Sequence, residues 1–132
     1  MTEPTRTIIV RDLIGTDAEA FQRVRLRSLK EHPTAFGSAY EDEKDFPLEQ
    51  TAEHLDRPTT ERFILGAFLG DDLIGIIGGY RDSLRKCRHR AHIGAMYVAS
   101  EARGIGAGRR LLLEAVQRLQ AMEEVEEVIL AV

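Results

Sequence analysis

The chain has 132 residues, 18 of them Lys or Arg against 22 Asp or Glu, for a formal net charge of −4 and 43% hydrophobic content. That length makes residues 1–132 a single domain able to bury roughly two-thirds of its surface on folding, and the acidic balance argues against a nucleic-acid partner. No apolar run approaches the ~20 residues of a membrane span and the N-terminal segment lacks a signal-peptide core, so no membrane contact is expected; the lone Cys87 excludes an internal disulfide and makes a reducing cytoplasm the expected compartment.

Residues 5–13 (TRTIIVRDL) are β-branched and short, which predicts a first strand. Gly15 and Thr16 turn the chain, and Asp17 is placed to cap a helix over residues 18–31, where Phe21, Val24, Leu26 and Leu29 recur near helical spacing. His32-Pro33 ends that helix, because the residue before a proline is pushed out of the α region. Residues 34–47 have no clean period and a dense acidic run, so a loop or an irregular turn is expected there, followed by a short polar helix over residues 48–56. Residues 62–70 and 73–81 read as an antiparallel hairpin turning at Asp71-Asp72. A strand rich in small residues follows over 92–100, then the strongest helix of the chain over 106–122, with Leu112, Ala115, Val116, Leu119 and Met122 on one face. Residues 125–132 form a last strand, and the order β-α-α-β-β-β-α-β defines a mixed α/β domain.

The segment SEARGIGAGRR sets Gly104, Gly106 and Gly108 at alternate positions, then Arg109 and Arg110 in the opening turn of that helix. Glycine costs backbone entropy, and arginine at a helix start opposes the helix dipole. Both choices make sense around an anion: the unpaired amides of Gly104 through Arg109 can point at a phosphate, and the two arginines become its ligands. The plain alternative is a tight strand-to-helix turn with solvated arginines, which needs fewer glycines. A P-loop requires a Gly-Lys pair that the chain lacks. A dinucleotide fingerprint fails too, since its last glycine falls on Arg109 when read from Gly104 and on Leu111 when read from Gly106.

What remains is R-x-x-G-x-G, as Arg103-x-x-Gly106-x-Gly108, between a strand and an amphipathic helix. It resembles the acetyl-CoA loop of the GNAT N-acetyltransferases, closely over MYVASEARGIGAGRRLLLEAV and more loosely in the element order of the whole chain. The resemblance implies an acyl-CoA N-acyltransferase fold, a central and mostly antiparallel sheet with a splayed strand pair, flanked by helices. It implies acetyl-CoA as co-substrate and no metal. The amides of Gly104, Ile105, Gly106, Ala107, Gly108 and Arg109 would wrap the CoA pyrophosphate, with Arg103 at the first motif position. Met96, Tyr97 and Val98 would run along pantetheine and the thioester, the Tyr97 backbone amide polarising the acetyl carbonyl as an oxyanion donor.

The implied reaction moves an acetyl group by direct attack to a primary amine of a small molecule or peptide. Such an amine is mostly protonated at neutral pH, so a base is needed. In this family the region between the first two helices lines the acceptor side, which makes Glu41 and Glu43 of the run YEDEKD the candidate bases; a solvated charged loop is the plain reading. His89 and His92 point to opposite faces of a strand and make a poor metal pair, while His32 and His54 sit beside helix ends. Cys87 reads as inert. Family members continue past the fifth strand with a further helix and two strands, whereas this sequence stops at ILAV. A C-terminally incomplete domain is therefore expected: a truncated product, which is the favoured explanation, a region supplied by the partner protomer of a homodimer, or a shortened member. No general acid is assigned, and a non-catalytic acyl-CoA-binding or regulatory module is the competing function.

Overall fold

The computed structural model describes residues 7–31, 40–57, 62–82, 86, 88–123 and 125–130. In chain order these form β1 (Ile8–Asp12), a 3-10 turn (Gly15–Asp17), α1 (Ala18–Glu31), α2 (Tyr40–Glu43), α3 (Leu48–Asp56), β2 (Arg62–Leu69), β3 (Asp72–Arg81) and β4 (Arg90–Val98). A second 3-10 turn (Ser100–Ala102), α4 (Ala107–Gln120) and β5 (Glu127–Leu130) complete the order. The strands make one 5-stranded sheet in the order β1-β2-β3-β4-β5, antiparallel throughout except for the parallel pair β4–β5.

β3 explains why its sequence shows no alternation. It lies at the centre of the sheet with helices on both faces, so adjacent residues are both buried: Ile76 at 1% and Ile77 at 0% exposure. Ile77 joins Leu65, Ala67 and Ile93 under Leu111, Ala115 and Leu119 of α4. Ile76 joins Leu13, Val24, Phe68 and Tyr97 on the face covered by α1, where Phe21 and Leu55 also pack. Two opposed cores thus share one sheet, and most of the favourable burial free energy resides there.

Several local expectations are corrected. The hairpin turns at Gly70–Asp71, with Leu69 opposite Asp72, because Gly70 takes φ 64° and supplies the left-handed residue. Asp17 does not cap α1: it ends the 3-10 turn and accepts the Ile14 amide at 2.8 Å while Arg11 grips it through both terminal nitrogens at 2.8 and 2.9 Å. Part of the expected acidic loop is the helical turn α2, and the core face of α4 includes Leu111 beside the expected Leu112, Ala115, Val116, Leu119 and Met122. β4 begins at Arg90 and stops at Val98, so Ser100 opens the 3-10 turn instead of closing the strand. His32, Pro33, residues 34–39 and Cys87 lie outside the described residues.

β4 carries the feature that positions everything after it. Ile76 pairs with Tyr97 but Gly78 pairs with Gly94, so Ala95 and Met96 stand opposite the single residue Ile77 as a bulge in β4. Its other edge meets β5 only from Arg90↔Glu127 to Ile93↔Leu130, so among the described residues Gly94 to Val98 have no strand beyond them.

Candidate functional site

The glycine loop connects the open end of β4 to α4. Gly104 and Gly106 have φ of 88° and 89°, a region that side-chain-bearing residues avoid, and an added Cβ at either would meet nothing within 4 Å. They turn the chain and leave its outer surface bare. Gly108 differs: a Cβ there would stand 3.3 Å from Met96 Cε and 3.5 Å from Val98 Cγ2, so this glycine lets α4 approach β4. Among the described residues the amides of Gly104 to Arg109 donate to no acceptor, and the helical ladder starts with Arg110 N–H to Gly106 O at 3.0 Å. Gly104 and Gly106 to Arg109 line a groove of about 340 Å³ together with Val98, Ala102 and Arg103. Bare amides at a helix N-terminus favour an anion, so the site fits a phosphate-bearing ligand.

The two arginines after the loop part company. Arg109 is exposed and lines the groove. Arg110 turns away and donates to Ile8 O at 2.8 Å, tying α4 to β1, which corrects its expected place as an anion ligand. Arg103 folds back over β4, with Nε donating to Val98 O at 3.0 Å and its guanidinium 5.8 Å from the Tyr97 ring centroid.

Strand register decides which amides of β4 are free. Ala99 N–H donates to Ile74 O at 2.8 Å, so that pair is hydrogen-bonded, and alternation makes Ile76↔Tyr97 the next bonded pair. The Tyr97 amide therefore faces β3, while that of Val98 faces the open edge. This corrects the oxyanion donor expected at Tyr97. Met96 lies in the bulge, and its side chain and that of Val98 pack toward α4.

A network that sequence reasoning missed fixes this segment. Tyr97, 4% exposed, donates its hydroxyl to Glu31 Oε2 at 2.7 Å, and Arg27 Nε donates to the same oxygen at 2.7 Å. Arg27 also holds Glu101 with both terminal nitrogens, at 2.7 and 2.6 Å, and Ser100 Oγ at 2.8 Å. Burial and the bond to Glu31 push the Tyr97 hydroxyl up to about 12. The bonds from Tyr97 and Arg27 hold the Glu31 carboxyl below its ordinary range, and Arg27 pulls Glu101 down to about 2. The partners lie 66 and 74 positions apart, and nothing local in the sequence marks them.

On the α1 face, a cavity of about 580 Å³ opens between α1, α2, α3 and the middle of the sheet, lined by Phe21, Phe46, Ile64 and Ile76 with Arg25, Glu43, Gln50 and His54. Glu43 faces it with both carboxylate oxygens held by Arg25, at 3.1 and 3.2 Å. Glu41 turns outward, 74% exposed, and pairs with Lys44 at 2.7 Å. The structure thus separates the two candidate carboxylates. Burial, then Arg62 and Arg57, lower the pKa of His54. Among the described residues no group of three or more His, Cys, Asp or Glu could hold a metal ion, and no helix is long and apolar enough to cross a membrane.

A mixed sheet with a bulged, open-edged strand running into an amide-lined glycine loop defines an acyl-CoA-type N-acyltransferase architecture. The sequence profile of the acetyltransferase (GNAT) family matches residues 24–132, and the chain belongs to that family. A GNAT-family acetyltransferase from Streptococcus pneumoniae superposes with a TM-score of 0.74 at 21% identity, covering 93% of this chain and 73% of that one. The ribosomal-protein-alanine N-acetyltransferase of Brucella melitensis biovar Abortus 2308 gives 0.66 at 19%, covering 96% and 80%. The PaiA N-acetyltransferase of Thermoplasma acidophilum, in complex with coenzyme A, gives 0.66 at 25%, covering 84% and 70%. Comparison with curated protein sequences finds no match.

Proposed function

We propose that this chain is an acetyl-CoA-dependent N-acetyltransferase that moves the acetyl group by direct attack to a primary amine of a small molecule or peptide. One observation carries the reading: a run of undonated amides at the start of α4, lying beside the β4 edge that β5 leaves open. Gly104 to Arg109 hold the diphosphate, Arg109 adds charge, and the edge from Met96 to Val98 receives the thiol-bearing arm as an added strand. The Val98 amide, turned outward by register, polarises the acetyl carbonyl, an effect worth up to several kcal/mol in a site of this kind. The cavity on the α1 face takes the amine, and its apolar walls exclude water. With its single cysteine the chain suits a reducing compartment, and we place the reaction in the cytoplasm.

Two measurements test this. Acetyl-CoA at about 100 times its dissociation constant should stabilise the fold by roughly 2.7 kcal/mol, read as a rise in Tm. Thiol release from acetyl-CoA should then depend on an added primary amine. Tight binding without turnover of any amine would instead make the chain a non-catalytic acyl-CoA-binding module; an unmoved Tm would defeat both readings.

A further inference from the structure

The cavity on the α1 face has walls of Phe21, Phe46, Ile64 and Ile76, and its volume of about 580 Å³ suits a small molecule. Phe46 lines it yet is 46% exposed, a large apolar surface left to water. The ionic groups of the lining cancel. Glu43 has both oxygens on Arg25, at 3.1 and 3.2 Å, and Glu53 is offset in charge by Arg57. His54 adds no charge at neutral pH, because burial, then Arg62 and Arg57, lower its pKa. The residues lining the cavity thus carry no net charge to draw in a polycation.

The floor is bare. Ile64 and Ile76 pack on the face covered by α1, and Gly78, opposite Ile64 and next after Ile76 in the alternation of β3, belongs to that face too. Its register partner Gly94 shares it. A Cβ on Gly78 would make only ordinary contacts, 3.5 Å from Gly94 O and 3.9 Å from Phe63 O, and one on Gly94 would meet nothing within 4 Å. Packing therefore requires neither glycine. Side chains at these positions would instead fill the way from the cavity to the stretch Gly94 to Val98, which has no strand beyond it among the described residues. The cavity also reaches the reacting end of that stretch, since its wall residue Ile76 pairs with Tyr97, the neighbour of Val98.

We infer that the acceptor is a primary monoamine on an apolar body, which lies between Phe21 and Phe46 over the Gly78↔Gly94 floor with its amine directed to the open edge of β4. The inference deepens the acetyltransferase reading above and rests on it. An apolar body takes the phenylalanine and isoleucine surfaces out of water, and the gain grows with the area covered. A hydroxyl or a second ammonium on that body would give up its water for little return, because Glu43 is already engaged by Arg25.

The test has two arms. With coenzyme A present, which has no acetyl group to transfer, phenethylamine should shift the methyl resonances of Ile64 and Ile76 in carbon–proton NMR, and spermidine should leave them in place. Methyls unmoved by phenethylamine would overturn the inference whether or not the chain is an acetyltransferase. In the second arm, thiol release from acetyl-CoA is followed with phenethylamine, hexylamine, ethanolamine and spermidine. The first two should show kcat/KM about 100-fold above the others, the discrimination an apolar pocket supplies; equal values, or spermidine in front, would overturn the inference. Gly78→Val should raise KM for phenethylamine by about tenfold, the effect of a methyl-sized change in such a pocket, and leave the acetyl-CoA-induced rise in Tm unchanged. Phe46→Asp alters an exposed side chain and should narrow the preference for phenethylamine over spermidine. A preference unmoved by both variants would place the acceptor elsewhere and overturn the inference. Loss of the acetyl-CoA effect on Tm in the parent protein would strike the acetyltransferase reading instead.

Discussion

The Tyr97 hydroxyl donates to Glu31 Oε2 at 2.7 Å, joining the last residue of α1 to the strand that feeds the glycine loop. Through Arg27 the same carboxylate reaches Glu101 and Ser100, so the path from β4 to α4 is anchored on α1. The glycine loop is thus held by side chains that do not line its groove.

That anchor predicts a two-sided pH response. Glu31 and Glu101 titrate below their ordinary values in the fold, so their contribution is complete above the unfolded value near 4.5 and is lost as pH falls, for Glu101 toward about 2. Tyr97 titrates above its ordinary 10.0, so its contribution is complete below that and is lost as pH rises toward about 12. Tm should decline through both windows. Arg27→Met should flatten the acidic decline; Tyr97→Phe should flatten the alkaline one, and the loss of this buried hydroxyl's bond should cost about 1 kcal/mol near neutrality. An acidic decline unchanged in Arg27→Met would show that the network carries no pH-linked stability.

Adjacent arginines should separate cleanly. Arg109 is exposed on the groove, so Arg109→Glu should weaken acetyl-CoA binding by about tenfold or more through reversed charge beside the diphosphate, with Tm nearly unchanged. Arg110→Gln removes the bond to Ile8 O and should cost about 1 kcal/mol of stability with affinity preserved. Calorimetric titration and thermal melts on both variants check the pair. Equal loss of affinity in the two would contradict the separate directions of their side chains.

Glu43→Gln should destabilise the protein by about 1–3 kcal/mol, because it leaves the Arg25 guanidinium half-buried without its paired carboxylate. Glu41→Gln, on an outward carboxylate beside Lys44, should stay within about 0.5 kcal/mol of the parent. Denaturant melts distinguish them, and matching values would mean that the Arg25 pair contributes nothing.

What could be read from sequence was what local spacing encodes. The β2–β3 hairpin is written in continuous apolar runs around Gly70, and the loop in Gly104 and Gly106, whose positive φ requires glycine. The apolar spacing of α4 also marked its core face, since Ala115 and Leu119 are buried and Leu112, Val116 and Met122 pack against the same core, and Leu111 was left out of it. Tyr97 was assigned by motif position, yet its amide direction depends on the register with Ile76, which only the paired strands disclose. His92 looked like half of a poor metal pair; its partner Asp82 lies beyond the end of the neighbouring strand, and the intervening connection hides the contact. Glu31, Arg27 and Glu101 meet only after the sheet and α1 have packed.

Gly75 supplies the last prediction, about how closely α4 must sit on the sheet. A Cβ at this position would lie 3.0 Å from Leu111 Cδ1 and 3.1 Å from the Tyr97 carbonyl oxygen. The leucine methyl can shift, but the carbonyl belongs to β4 where it leads into the bulge and cannot yield without moving the strand. Gly75→Ala should therefore cost about 1–3 kcal/mol by overpacking, and it should also weaken acetyl-CoA binding, because the displaced segment carries the outward Val98 amide. Gly108→Ala meets only the flexible end of Met96 and a methyl of Val98, so it should be far milder in both assays. If Gly75→Ala lost stability yet bound acetyl-CoA as the parent does, the open edge of β4 would not be where the arm of the co-substrate lies.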